Sequence, residues 1–201
     1  MELRRGAAAL LLVPLLTGCA PAGMDPAEAL ALDIRGQYLQ ADRGQTRAAV
    51  TADYGRRVCE FVLDVEWTPE ETRVTVLQPE TVAGITATVQ AGESTLEYDG
   101  LSLDTGPLDK DGLAPVSAVP VLLTAAAEGF ITHCRMEPEG SLLRVDCGDP
   151  EGAPGMGRQT TLWFDKESGS LRRGEILVDG FRVISCEFLT FTKETSEGED
   201  P

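Results

Sequence analysis

The spacing of apolar residues changes along this chain. From Asp25 to Asp42 (DPAEALALDIRGQYLQAD), Leu30, Ile34 and the pair Tyr38/Leu39 recur at helical spacing, which predicts an amphipathic helix with one apolar stripe. Asp25 is placed to cap it, Pro26 suits its first turn, and Glu28 adds charge of the right sign there. From about Thr46 the period drops to two. RRVCEFVLDVEW puts Cys59, Phe61, Leu63, Val65 and Trp67 on one face, and ETRVTVLQP, GITATVQAG and STLEYDGLSL continue the alternation. GRQTTLWFDKESGSLRRGEILVDGFRVISCEFLTFTK gives a second series with a longer turn at Lys166–Gly169. Asp99-Gly100 and Asp179-Gly180 stand between alternating runs, a strong hairpin signal. Successive hairpins predict a mostly antiparallel, strongly curved sheet. Between the two series lies LAPVSAVPVLLTAAAEGF, Leu113 to Phe130, which reads as a short apolar helix closed by Gly129. Pro120 either kinks it or starts its main part. With few polar positions it must be buried on most sides, and the concave face of the sheet is the natural place. The pattern shows no repeat and no second domain.

The N-terminus adds a location. Arg4 and Arg5 precede an apolar run from Ala7 to Leu16, about half of the ~20 residues a bilayer span needs. A basic flank, a short apolar run and small residues describe an export signal. Leu16-Thr17-Gly18-Cys19 resembles the lipobox of bacterial lipoproteins. That resemblance implies cleavage before Cys19, which then carries a diacylglycerol thioether. Two acyl chains suffice for stable anchoring. The expected division is therefore a signal over 1–18, a tether over 19–24, one domain over 25–193, and an acidic tail over 194–201, and the expected location is the extracytoplasmic face of the cell membrane.

Charge then removes one class of partner. The formal net charge is −16, and loss of residues 1–18 with Glu2, Arg4 and Arg5 makes it one unit more negative. A nucleic-acid binder needs the opposite sign. The lipid on Cys19 has to supply the membrane attachment. Four further cysteines, Cys59, Cys134, Cys147 and Cys186, suggest disulfides in an exported domain. If Gly140-Ser141 is a two-residue turn, Cys134 falls opposite Cys147, leaving Cys59 to pair with Cys186. Free thiols, or a register shifted by two, are the alternative. A metal site from His133, Cys134 and Cys147 is disfavoured, because neighbouring strand residues point to opposite faces.

A lipobox, an amphipathic helix, hairpin strands, an inserted apolar helix and more hairpins resemble the LolA/LolB-like superfamily, closest to its lipidated members. DYGRRVCEF, LEYDGLSL, LWFDKESGSL and GEILVDG carry the resemblance over roughly Asp25 to Lys193. It implies an α+β fold, mainly antiparallel β: an open curved half-barrel with an N-terminal amphipathic helix and an inserted plug helix. It also implies a binding protein and not an enzyme, sheltering a lipid or acyl chain in a hydrophobic cavity. The candidates for the lining are Phe61, Leu63, Val65, Trp67, Val121, Leu122, Leu123, Trp163 and Phe164, unless these pack on each other as core. The arginine with which some soluble carriers latch their lid has no assignable position. A second reading is a scaffold lipoprotein that docks and stabilises an exported protein, or forms a homodimer, through exposed sheet edges.

Three motifs resemble catalytic or ligand loops and fail on context. Asp104-Thr105-Gly106 matches an aspartic-protease motif, but such enzymes need two facing carboxylates and the chain has one copy. Asp109-Lys110-Asp111-Gly112 is a partial calcium loop with Pro120 where the closing glutamate belongs. GAPGMG, Gly152–Gly157, leads into a strand and not a helix, so it lacks the phosphate-cradle context. No catalytic residue, metal or cofactor is expected.

Overall fold

The computed structural model describes residues 25–90, 93–106, 109–153 and 155–195. The lipobox with Cys19, the tether and most of the acidic tail lie outside them.

Helix α1, Pro26–Leu39, starts where its sequence says. The Asp25 carboxylate accepts the Ala27 N–H at 2.8 Å. Its apolar stripe buries Ala27, Ala31, Ile34 and Tyr38, and the buried Tyr38 hydroxyl accepts the Leu171 N–H at 3.0 Å. Eleven strands follow: β1 Arg43–Asp53, β2 Val58–Trp67, β3 Glu71–Gln78, β4 Thr86–Gln90, β5 Glu93–Tyr98, β6 Leu101–Asp104, β7 Ile131–Met136, β8 Leu142–Cys147, β9 Arg158–Asp165, β10 Leu171–Val178 and β11 Phe181–Glu194. Helix α2, Pro115–Glu128, lies between β6 and β7.

One antiparallel sheet holds every strand in the order β6-β5-β4-β3-β2-β1-β11-β10-β9-β8-β7. β1 to β6 meander outward in one direction. The chain then crosses over through α2, and β7 to β11 meander back until β11 pairs with β1. β6 and β7 remain unpaired edges, so the sheet is an open half-barrel, as the resemblance implies. Both Asp-Gly turns have both residues at positive φ, Asp99 at 50° and Gly100 at 77°, Asp179 at 50° and Gly180 at 80°, the conformation that matches the twist of a two-residue hairpin. The last strand reaches Glu194, whose carboxylate pairs with Arg43, so the sheet takes in the first residue of the stretch read as tail.

The two helices cover the concave face. α2 buries Ala118, Val119, Leu122, Leu123 and Ala126 against a sheet that makes room for it. A Cβ on Gly174 of β10 would sit 2.7 Å from Leu122 Cδ1. Pro120 stays inside the helix. Gly129 ends it, yet its φ is −57° and not the left-handed value that usually selects glycine at a helix end. Space selects it here, since a Cβ would lie 2.5 Å from the Ala125 carbonyl oxygen and 3.0 Å from Cys147 Sγ.

The disulfide expectation is corrected. Glu137 N–H bonds the Leu142 carbonyl at 2.8 Å, so the β7–β8 connection is longer than two residues and the register moves by two. Cys134 then faces Val145, and Cys147 faces Ile131. Cys59 pairs with Ala52 on one side of β1, while Cys186 pairs with Val50 on the other. The width of an intervening strand, about 10 Å across two inter-strand steps, exceeds the ~7 Å limit for bridging. All four are free thiols.

Candidate functional site

Interior space decides where a ligand can go. Between α1, α2 and strands β7 to β9, the gap lined by Ala31, Ile34, Ala126, Val145, Leu162 and Phe164 has a volume of about 10 Å³, room for one water at most. Of the nine lining candidates, Leu63, Val65, Leu122, Leu123 and Phe164 are buried in a closed core. Phe61 and Trp67 pack partly buried against it, Trp67 against the Phe191 ring with centroids 5.4 Å apart. Trp163 is on the opposite, convex face, because it alternates with buried Phe164 along β9. There its ring lies between the Arg144 and Arg173 guanidinium groups, 5.4 and 4.9 Å from its centroid, and its Nε1–H donates to Glu137 at 3.0 Å. Trp163 is therefore corrected from lining candidate to surface residue. Two of the nine open onto larger volumes: Trp67 onto a groove at the other end of the sheet, and Val121 onto a cleft beside α2.

The cleft has a volume of about 730 Å³. One wall is the outer side of α2, with Val121, Thr124, Ala125 and Glu128, continuing into Phe130. The opposite wall is the β8–β9 connection with Met156 and Arg158, and Cys147 and Thr160 close the floor. The rim is polar. Arg158 donates to the Lys110 carbonyl at 2.7 Å, which joins the segment before α2 to β9. Asp109 fixes that segment by accepting the Leu113 and Ala114 N–H groups at 2.7 and 3.0 Å. This aspartate, read above within a partial calcium loop, serves as a cap for a helix whose own first residues offer no side-chain cap. Burial pushes the Cys147 thiol up to about 11, so the floor of the cleft is neutral at physiological pH.

Arg35 ties the end of α2 to α1. The Arg35 guanidinium of α1 donates to the Gly129 carbonyl at the end of α2. The buried Arg35 Nε has no partner among the described residues. Nothing in the sequence marks Arg35 for this role, since it stands on the polar side of the helical stripe. Sequence reasoning misses Phe130 and Met156 too: one directly follows the helix-ending glycine, the other sits inside GAPGMG.

A second groove, about 620 Å³, lies at the other end of the sheet between Arg43, Trp67, Arg73 and Glu194. Arg43 is paired with Glu194, and Arg73 with Glu71 at 3.3 Å, so its cations are already engaged. Among the described residues no group of three or more His, Cys, Asp or Glu is placed to hold a metal, and no helix is long and apolar enough to cross a membrane.

No family model matches the chain, and no curated protein matches it. Solved structures of similar shape include an uncharacterised conserved protein from Thermus thermophilus at 14% identity and TM-score 0.49, with 82% of this chain and 86% of that one covered. A LolA superfamily protein from Nitrosomonas europaea is similar at 9% identity and TM-score 0.44, covering 84% and 93%. LprF from Mycobacterium bovis is similar at 14% identity and TM-score 0.43, covering 82% and 92%. At these values function has to be read from the chain's own geometry.

Proposed function

We propose that this chain is an extracytoplasmic lipoprotein, held to the cell membrane through acylated Cys19, that binds a lipid acyl chain in the cleft beside α2 and catalyses nothing. The signal over 1–18, the tether over 19–24 and the acidic end beyond Glu194 belong to this proposal. One observation carries it: a 730 Å³ cleft walled by Val121, Ala125, Phe130 and Met156, within the ~300–1,000 Å³ of small-molecule sites. Each methylene taken from water contributes about 0.8 kcal/mol, so an apolar wall holds a chain without specific hydrogen bonds. The filled interior moves the site from between helix and sheet to the outer side of α2.

A second reading, docking of an exported protein or a second copy, is favoured by the β6 edge, where Leu101 and Leu103 are 76% and 65% exposed on a strand with a free hydrogen-bonding side. Native mass spectrometry of exported residues 20–201 separates the two. Bound masses resolving into lipid species, or appearing on addition of phospholipid, are expected. A clean apo mass that added phospholipid leaves unchanged would sink the acyl-chain reading in favour of docking.

A further inference from the structure

On one side the sheet ends in β6, a strand that pairs with β5 and with no other strand among the described residues. The Thr105 N–H donates to the Ser94 carbonyl at 2.9 Å, which fixes the phase of the β5–β6 pairing. Leu101 and Leu103 bond inward to Tyr98 and Leu96, and the N–H and C=O groups of Ser102 and Asp104 point away from the sheet. Helix α2 packs on β1 to β3 and on β9 to β11, and it leaves this edge uncovered. Tyr98, Leu101 and Leu103 are 53%, 76% and 65% exposed. They form one patch, because the cross-strand partners Tyr98–Leu101 and Leu96–Leu103 share a face. Free main-chain groups beside an apolar patch are what an added strand needs.

Charge says which kind of strand. Residues 74–109 contain no Lys or Arg and hold Glu80, Glu93, Glu97, Asp99, Asp104 and Asp109. None of these carboxylates is in an ion pair among the described residues. A hollow of about 370 Å³ beside the β5–β6 turn is lined by Thr86, Glu97, Tyr98, Asp99 and Ser102, among others. Two carboxylates and an aromatic ring are the partners that a Lys or Arg side chain takes. An added strand sends alternate residues to the two faces of the sheet. Those beside Leu101 and Leu103 meet apolar surface, and those beside Ser102 and Asp104 share a face with Glu97.

A second copy suits this edge less well. It brings a formal net charge of −16, and its own β6 would set carboxylates against carboxylates. Its other free edge, β7, offers Arg135, which lies 3.7 Å from the Glu137 carboxylate. Like charge along an edge guards it against self-pairing, and the same charge attracts a strand of opposite sign.

We infer that β6 takes up an extended segment of a partner protein in which apolar residues alternate with Lys or Arg. This rests on the docking reading above and is independent of what the cleft beside α2 holds. Main-chain bonds to Ser102 and Asp104 supply the affinity, and the alternation of apolar and cationic side chains supplies the specificity.

The test uses the exported full-length chain in non-ionic detergent and three short fluorescent peptides that alternate valine with lysine, threonine or glutamate. Fluorescence anisotropy is expected to show the lysine peptide binding at least tenfold more tightly than the threonine peptide, and the glutamate peptide not binding. Ser102→Pro removes an N–H from the free side of β6 and none from its pairing with β5, a place where an edge strand accepts proline. It should weaken the lysine peptide at least tenfold. Glu97→Gln with Asp104→Asn keeps the backbone and the apolar patch, and should bring the lysine peptide down to the level of the threonine peptide. All three positions are exposed, so melting temperatures should stay near the parent's; if S102P melts early, the E97Q/D104N pair decides. Equal binding of the lysine and threonine peptides overturns the cationic partner and leaves docking at β6 standing. Binding of none of the three, or binding that a folded S102P leaves unchanged, overturns docking at β6 and the cationic partner with it. A parent chain that self-associates by light scattering while S102P does not would put a second copy on the edge and overturn the inference.

Discussion

Arg35 spans from α1 to the carbonyl of Gly129, and its Nε is buried without a partner among the described residues. A charged hydrogen bond of this kind contributes about 1.5–3 kcal/mol. Arg35→Met, which keeps the aliphatic stem, is expected to lower the unfolding free energy by about that amount. It should speed amide exchange selectively in the last turn of α2. Exchange that rises evenly over the whole sheet would mean Arg35 is not a local tie. The thiols give a second check at this scale. Burial holds Cys147 at about 11 against an ordinary 9.0 and pushes Cys186 higher still. Burial raises the Tyr38 phenol in the same way. The folded chain therefore keeps protons that the unfolded chain releases. Stability is full below pH 9 and falls as the pH rises through about 11 at Cys147. Urea midpoints should drop between pH 8.5 and 11, and Cys147→Ala with Cys186→Ala should flatten the drop. Equal slopes in parent and double variant would rule the thiols out as its source.

The elements are largely legible in the sequence, and the reason is periodicity. The α1 cap at Asp25, the two Asp-Gly hairpins, the alternation in β2 and the apolar α2 each rest on local spacing, and each element lies within a few residues of its reading. What local spacing does not carry is register and facing. Cys134 misses Cys147 because a connection two residues longer than a tight turn shifts every partner on β7. Trp163 groups with Phe164 by size and apolarity, although one step along β9 sends them to opposite faces. Of the cleft only Val121 is legible, because Val121, Phe130 and Met156 come from three segments that meet only through the crossover. The seating of α2 is likewise non-local. Gly174 of β10 leaves the space that Leu122 fills. Gly174→Ala is expected to push α2 outward and to cost about 1–3 kcal/mol through overpacking, readable as a lower melting temperature. An unchanged melting temperature would show that α2 shifts freely on the sheet.

At the scale of the whole molecule, two volumes compete for the ligand: a core that is already full and a cleft on the outer side of α2. Substitutions in each tell them apart. Leu63 is fully buried, so Leu63→Ala opens a cavity and is expected to cost about 2–5 kcal/mol of stability while leaving ligand stoichiometry unchanged. Thr124 is exposed on the wall of the cleft, and its hydroxyl bonds only back to the Pro120 carbonyl at 3.1 Å among the described contacts. Thr124→Trp therefore fills the cleft from its side without entering the core. It should leave the melting temperature within a few degrees of the parent and weaken binding of a fluorescent fatty acid at least tenfold. The opposite pattern, loss of binding in L63A and none in T124W, would put the acyl chain between α2 and the sheet. Since Val119, Leu122 and Leu123 are buried with α2 seated, such a result would require α2 to lift, exposing them at about 1.5–3 kcal/mol each. A cleft that stands open with α2 in place asks for no such exposure, which is why the outer side of α2 is the site to test first.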